Sequence, residues 1–89
     1  MEFRWNEWNV EHIRRHGVTP AEAESVVRTA RGAFPRRRAD DKWLAWGKGQ
    51  GDRLLQVVFV LNDDDCVYVI HARPLTDREK KAFHRHKPK

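Results

Sequence analysis

Four cations in the second half of the chain could do phosphate chemistry. Arg53 opens an apolar run, His71 and Arg73 stand two apart near the end of the next run, and Arg78 lies near the start of the helical segment that follows. Fixed guanidiniums hold phosphate oxygens and stabilise the charge that builds on them during reaction, one well-placed donor being worth roughly 3 kcal/mol in the transition state. An imidazole beside them can move a proton near neutral pH. Such a set suits RNA cleavage, in which a 2′-hydroxyl attacks its neighbouring phosphate. The competing arrangement is that Arg73 and Arg78 pair with carboxylates, either Glu79 in the same chain or an acidic partner helix, and serve structure or docking.

Other chemistries find less support. His12 and His16 are four apart, which places both on one face of a helix, but no glutamate stands beside them in a zincin pattern and no third ligand is indicated; no metal or cofactor is expected. A histidine at the end of a helix is more often a cap than a catalyst. Gly47, Gly49 and Gly51 lie between strand-like runs, so they do not form a phosphate-cradling loop ahead of a helix. Ser25 is the one serine and falls mid-helix, away from any strand-to-helix elbow. Aspartates beside Cys66 raise its pKa and argue against a thiolate nucleophile.

The elements that must position these residues can be read from pattern. Leu54 to Leu61 (LLQVVFVL) is too short for a membrane span and rich in β-branched and aromatic residues, which predicts a strand buried on both faces at the centre of a sheet. Asn62 to Asp65 supplies a turn. Cys66 to Arg73 then alternates, predicting Val67, Val69, His71 and Arg73 on one face and Tyr68, Ile70 and Ala72 on the other. Thr76 and Glu79 have capping-box spacing and predict a helix from Thr76.

Toward the N-terminus, Phe3 and Trp5 fit a short edge strand, and Asn6 caps a helix to His16 with Gly17 following, Ile13 facing the core and His12 and His16 flanking it. Thr19, Pro20 and Glu22 start a second helix with Ala23, Val26, Val27 and Ala30 as its apolar stripe and Gly32 at its end. Ala33, Phe34 and Pro35 could open a strand that leads into Arg36, Arg37 and Arg38. Lys42 to Gly47 is a strand with Trp43 and Ala45 on one face and Leu44 and Trp46 on the other. The expected order is β-α-α-β-β-β-β-α, an α+β fold with a mainly antiparallel sheet packed by helices.

Eighty-nine residues with 39% apolar content make one domain, 1–89, with a modest core. The net charge of +5, from 18 Lys and Arg against 13 acids, favours a polyanion or an acidic partner. Clustering favours nucleic acid: Arg36 to Arg38 form one run, and Arg78, Lys80, Lys81, Arg85, Lys87 and Lys89 crowd the end. The lone cysteine makes no internal disulfide, no apolar run approaches the roughly 20 residues that cross a bilayer, and no signal peptide is seen, so a cytoplasmic protein without membrane association is expected.

The segments FRWNEWN, HIRRHGVTPAEAE, RLLQVVFV and IHARPLTDREKKAF resemble the BrnT toxins, over nearly the whole chain. That resemblance implies a RelE-like fold and a ribonuclease that blocks translation, held silent in a hetero-oligomer with a cognate BrnA-like antitoxin carrying a DNA-binding domain. Matching positions are Trp5, His16, Gly17, Glu22, Gly47, Arg53, Ala72, Arg73, Thr76, Arg78 and Glu79. It implies Arg53 and Arg73 on the scissile phosphate with Arg78 assisting; His71 is the acid or base suggested by the residues themselves. Lys42, Lys80, Lys81, Arg36, Arg37 and Phe83 are the expected RNA contacts. Lys42 stands where the family often has Arg, His71 where Ser is usual, and Phe83 where Tyr is frequent; a phenyl ring still stacks on a base.

Overall fold

A computed structural model describes residues 1–31, 34–39 and 41–86. The elements run β1 (Glu2–Arg4), α1 (Glu7–Arg14), α2 (Pro20–Arg28), β2 (Arg36–Arg37), β3 (Lys42–Lys48), β4 (Leu54–Leu61), β5 (Cys66–Pro74) and α3 (Asp77–His86), with a 3₁₀ turn at Gln50–Asp52 between β3 and β4. This is the α+β order predicted from pattern. The five strands lie in the order β1-β5-β4-β3-β2, with β4 in the middle as its two-sided apolar run requires. Only β1 pairs in parallel, through Glu2–Arg4 against Cys66–Tyr68, so β5 has no strand partner on that side beyond Tyr68 among the described residues. The β4–β5 hairpin turns where expected, with Asp65 at φ 63°, a left-handed conformation that Asp tolerates.

Helices begin where their caps dictate. Asn6 and Asn9 form a reciprocal capping box ahead of α1, and Thr19 and Glu22 another ahead of α2, with Pro at its first turn. The last residues of α1 give way to Gly17 at φ 71°. α2 stops at Arg28, short of the predicted Gly32, which with Ala33 lies outside the described residues. Among the described residues the strand after it starts at Arg36 and not at Phe34, which is buried against Trp46, ring centroids 4.9 Å apart, instead of pairing in the sheet.

One core lies between the sheet and the helices: Ile13, Val18, Ala23, Val26 and Val27 against Ala45, Leu55, Val57, Phe59, Val67, Val69 and Ala72. Each valine, leucine, isoleucine or phenylalanine among them contributes roughly 1.5–3 kcal/mol by leaving water, and each alanine less. Ala72 is the exception to the predicted alternation. Along β4, Val58 faces His71 but the adjacent Phe59 faces Val69, which leaves Ile70 as an extra residue in β5. This β-bulge shifts the phase of the strand by one. Val67 and Val69 therefore share the core face with Ala72, whereas His71 and Arg73, expected beside those valines, stand across from Val58 and Gln56 on the opposite face with Tyr68.

Candidate active site

Two elements build the site around His71, the first being α1. The capping box fixes its start: the Asn6 N–H donates to Asn9 Oδ1 at 2.8 Å, the Asn9 N–H donates to Asn6 Oδ1 at 3.1 Å, and the buried Asn9 amide also donates to the Arg4 carbonyl at 3.0 Å. Asn6 Nδ2 further donates to the Tyr68 hydroxyl at 3.2 Å, tying the helix to β5. With Asn9 and Ile13 buried, the neighbouring row of Trp8, His12 and His16 comes to the side where Tyr68 and His71 stand. The second element is β5, whose bulge brings His71 out of the core face.

Three imidazoles meet there. His71 packs edge-to-face with His16 at 5.3 Å and with His12 at 5.9 Å between ring centroids, and Trp8 stacks flat on His12 at 4.9 Å and 8°. Burial holds the His71 pKa below its ordinary value, and the nearby His16, His12, Arg73 and Arg38 add to that by disfavouring another positive charge. His71 is therefore largely neutral at pH 7, able to accept a proton, in a neighbourhood of cationic groups. Among the described residues no group of three or more His, Cys, Asp or Glu is arranged to hold a metal ion.

Arg73 belongs to this face and is held in place. Its Nη1 donates to Glu79 Oε1 at 2.7 Å and to the Pro74 carbonyl at 3.0 Å, and its Nη2 donates to Glu79 Oε2 at 2.8 Å. The carboxylate is thus gripped by a two-pronged fork, which, against the opposing effect of burial and with help from the Thr76 N–H, lowers the Glu79 pKa to about 2. Glu79 is also the third residue of the α3 capping box, with the Thr76 N–H donating to Oε1 at 2.8 Å. Of the five guanidinium N–H donors, Nε–H and one on Nη2 are not used by these bonds. The carboxylate pairing weighed from sequence is the one that forms, and it leaves part of the fork available to an anion.

Arg53 does not join them, contrary to the sequence reading. Its Nη2 donates to Glu22 at 3.0 Å and to the Gly17 carbonyl at 2.8 Å, on the α2 side of the sheet, whereas His71 and Arg73 lie on the other. Glu22 is buried at the centre of a small network, with the Gln50 N–H donating at 2.9 Å and the Thr19 N–H at 3.2 Å. Burial pushes its pKa up, but these backbone donors and Arg53 together outweigh that and bring it below the ordinary value. Arg53 is a clamp between α2 and the β3–β4 connection.

The remaining expected contacts are dispersed. Strand register puts Lys42, opposite Val60, on the His71 face, with its ammonium 3.4 Å from Asp41. Arg36, opposite Leu44, shares that face and lies over the Phe34 ring, whereas Arg37, opposite Trp43, has the other phase. Arg78, Lys80 and Lys81 are exposed on α3, Lys80 being 3.9 Å from Asp77, and Phe83 is half-buried beside His84. No ring contact, hydrogen bond or ion pair among the described residues joins these four to His12, His16 or His71. Sequence reasoning missed His12, His16, Trp8, Tyr68 and Arg38 as members of the site. A signal for the first three was present: Trp8, His12 and His16 repeat every four residues on a capped helix, a row beside Ile13 that is too polar to be core.

No protein-family model matches this chain, and no curated protein sequence matches it. The fold is similar to that of a solved structure, the ribonuclease toxin BrnT of Brucella abortus, with a TM-score of 0.69 and 22% sequence identity over 86% of this chain and 99% of that one. At that identity the likeness is one of fold.

Proposed function

We propose that this chain is the toxin of a toxin–antitoxin pair, a cytoplasmic endoribonuclease that cleaves RNA and thereby stops translation, using groups of its own and no metal. The observation that carries the proposal is the placement of a neutral His71 among His12, His16, Arg38 and Arg73, on a fold shared with a ribonuclease toxin. In the reaction, His71 takes the proton of a ribose 2′-hydroxyl as its oxygen attacks the adjacent phosphorus. The 5′-oxygen leaves with a proton donated by His16 or His12. The products are a 2′,3′-cyclic phosphate and a 5′-hydroxyl end. Arg73, aimed by Glu79, and Arg38 stabilise the charge on the phosphate oxygens, Arg78 and Lys42 supply outer contacts, and Arg53 serves the fold.

The grip of Glu79 on Arg73 favours a second reading, a basic module that docks an acidic antitoxin or RNA without cutting it. Incubating the purified chain with single-stranded RNA in the presence of a chelator separates the two. Cleavage to cyclic phosphate ends that falls at least about 100-fold in His71→Ala, with the circular dichroism unchanged, is the expected result. Intact RNA with the wild type, or unimpaired cleavage by His71→Ala, would overturn the assignment.

A further inference from the structure

Trp8 has no part in the core or in the proton transfers, yet it is the largest aromatic group left in water, 56% exposed. Its indole is not free to wander: His12 backs it flat at 4.9 Å, and Tyr68, itself fixed through Asn6, flanks it at 6.4 Å and 31°. A rigid, wet aromatic face costs little to cover, because the side chain has already lost its rotational freedom. A Trp–His pair one helical turn apart would support α1 by a few tenths of a kcal/mol with either ring; that function does not call for an indole held more than half in solvent.

Charge then orients what could cover it. The shallow hollow at Trp8 is bounded by Glu7, Glu11, His12 and Arg15, and its two carboxylates outnumber its one guanidinium, so that rim disfavours a phosphate. On the other side of His12 stand His71 and, near it, Arg38 and Arg73, which attract one. A single-stranded nucleotide fits this gradient in one sense only, with its base over Trp8 and its backbone toward His71.

We propose that Trp8, braced by His12 and flanked by Tyr68, is the platform on which a base of single-stranded RNA stacks, placing the neighbouring phosphate at His71. This rests on the endoribonuclease reading and deepens it: Trp8 is a positioning residue for an unpaired stretch of RNA, and a duplex, whose bases are already stacked, is not a substrate. His12 has a double place, supporting the platform on one side and touching His71 on the other.

The test measures cleavage of a short unstructured RNA by wild type, Trp8→Phe, Trp8→Leu and Trp8→Ala, together with binding of the same sequence made non-cleavable by 2′-O-methylation, each variant first checked for an unchanged circular dichroism spectrum. Stacking predicts that Leu and Ala weaken binding and raise KM by roughly 5- to 100-fold, that Phe recovers most of the loss, and that pairing the RNA into a duplex abolishes cleavage by the wild type. If the wild type cleaves and all three variants match it in KM and binding, or if Leu serves as well as Phe, the platform is wrong while the nuclease stands. If the wild type neither binds nor cleaves, the nuclease reading itself has failed and the platform goes with it.

Discussion

Replacing Glu79 with Gln tests whether the Arg73–Glu79 fork is the main electrostatic tie between β5 and α3. The substitution removes one charge and little else, since Gln at the third helical position still completes a capping box with Thr76. In the folded chain the carboxyl titrates at about 2 instead of 4.5, chiefly because both its oxygens take hydrogen bonds from the guanidinium at 2.7 and 2.8 Å. That interval, at about 1.4 kcal/mol per pH unit, corresponds to about 3 kcal/mol of stability. The two side chains are 29% and 21% exposed, so water screens part of it, and about 2 kcal/mol is the expected loss at pH 7. Because the folded pKa is depressed, the contribution is complete above the ordinary carboxyl value of 4.5 and drains away as the pH falls toward 2. Urea unfolding of wild type and Glu79→Gln at pH 7 and pH 3 should therefore show a gap that shrinks by more than half. An equal gap at both pH values, or none at pH 7, would refute the electrostatic account.

The clamp formed by Arg53 gives the opposite pattern to a site residue. Arg53→Ala strands a buried carboxylate and should lower stability by roughly 2 kcal/mol, less than for a fully buried pair because the guanidinium side chain is 38% exposed, with cleavage per folded molecule unchanged; a stable but inactive variant would return Arg53 to the phosphate site. Gly49→Ala brings a Cβ within 2.6 Å of both Glu22 Oε2, held by the Arg53 network, and Leu55 Cδ1, held in the core, and should cost about 1–3 kcal/mol in a thermal melt. For catalysis, the acid limb of kcat/KM belongs to the base, which must be neutral to act; burial and then the surrounding histidines and arginines keep His71 below 6.5, so the limb should lie below that value and move up in Arg38→Gln. A limb at or above 6.5 in the wild type would exclude His71 as the base.

Local signals with a single physical cause were legible in the sequence. Each capping box joins residues three apart: those ahead of α2 and α3 are found where the spacing put them, and α1 starts at the predicted Asn6 cap, with Asn9 completing a box that the Asn6 signal alone did not indicate. The two-sided apolar run of β4 had no place but the middle of the sheet, and the Asn and Asp cluster after it had no use but a turn. Charge partners far apart in sequence were not legible. Arg53 and Glu22 are separated by 31 residues, and only the packing of α2 over the Gly49 turn brings them together. The same holds for His12 and His16: helical spacing put them on one side, and His16 keeps that side in the turn after α1, but the orientation of α1 beside β5 depends on Asn9 being buried against the Arg4 carbonyl, a polar residue in a core position that binary patterning reads as surface.

The bulge at Ile70 shows why His71 and Arg73 do not share a face with Val67 and Val69, as alternation alone predicts. Strict alternation from Val67 assigns His71 and Arg73 to the core, where a histidine and an arginine would have to be stripped of water without partners, at a cost of several kcal/mol each. Alanine at 72 would then point to the polar side and leave the core short of a contact against Val57, its neighbour in the next strand. One unpaired residue relieves both conflicts, because it advances the phase after Val69 and exchanges the environments of every position that follows. The polar residues that could do chemistry thus reach the open face because the hydrophobic pattern requires them to leave the core. The histidine contacts depend on that displacement: without it His71 would lie under the helices beside Val69, away from the face it shares with Tyr68, and its edge-to-face contacts with His12 and His16 would be lost.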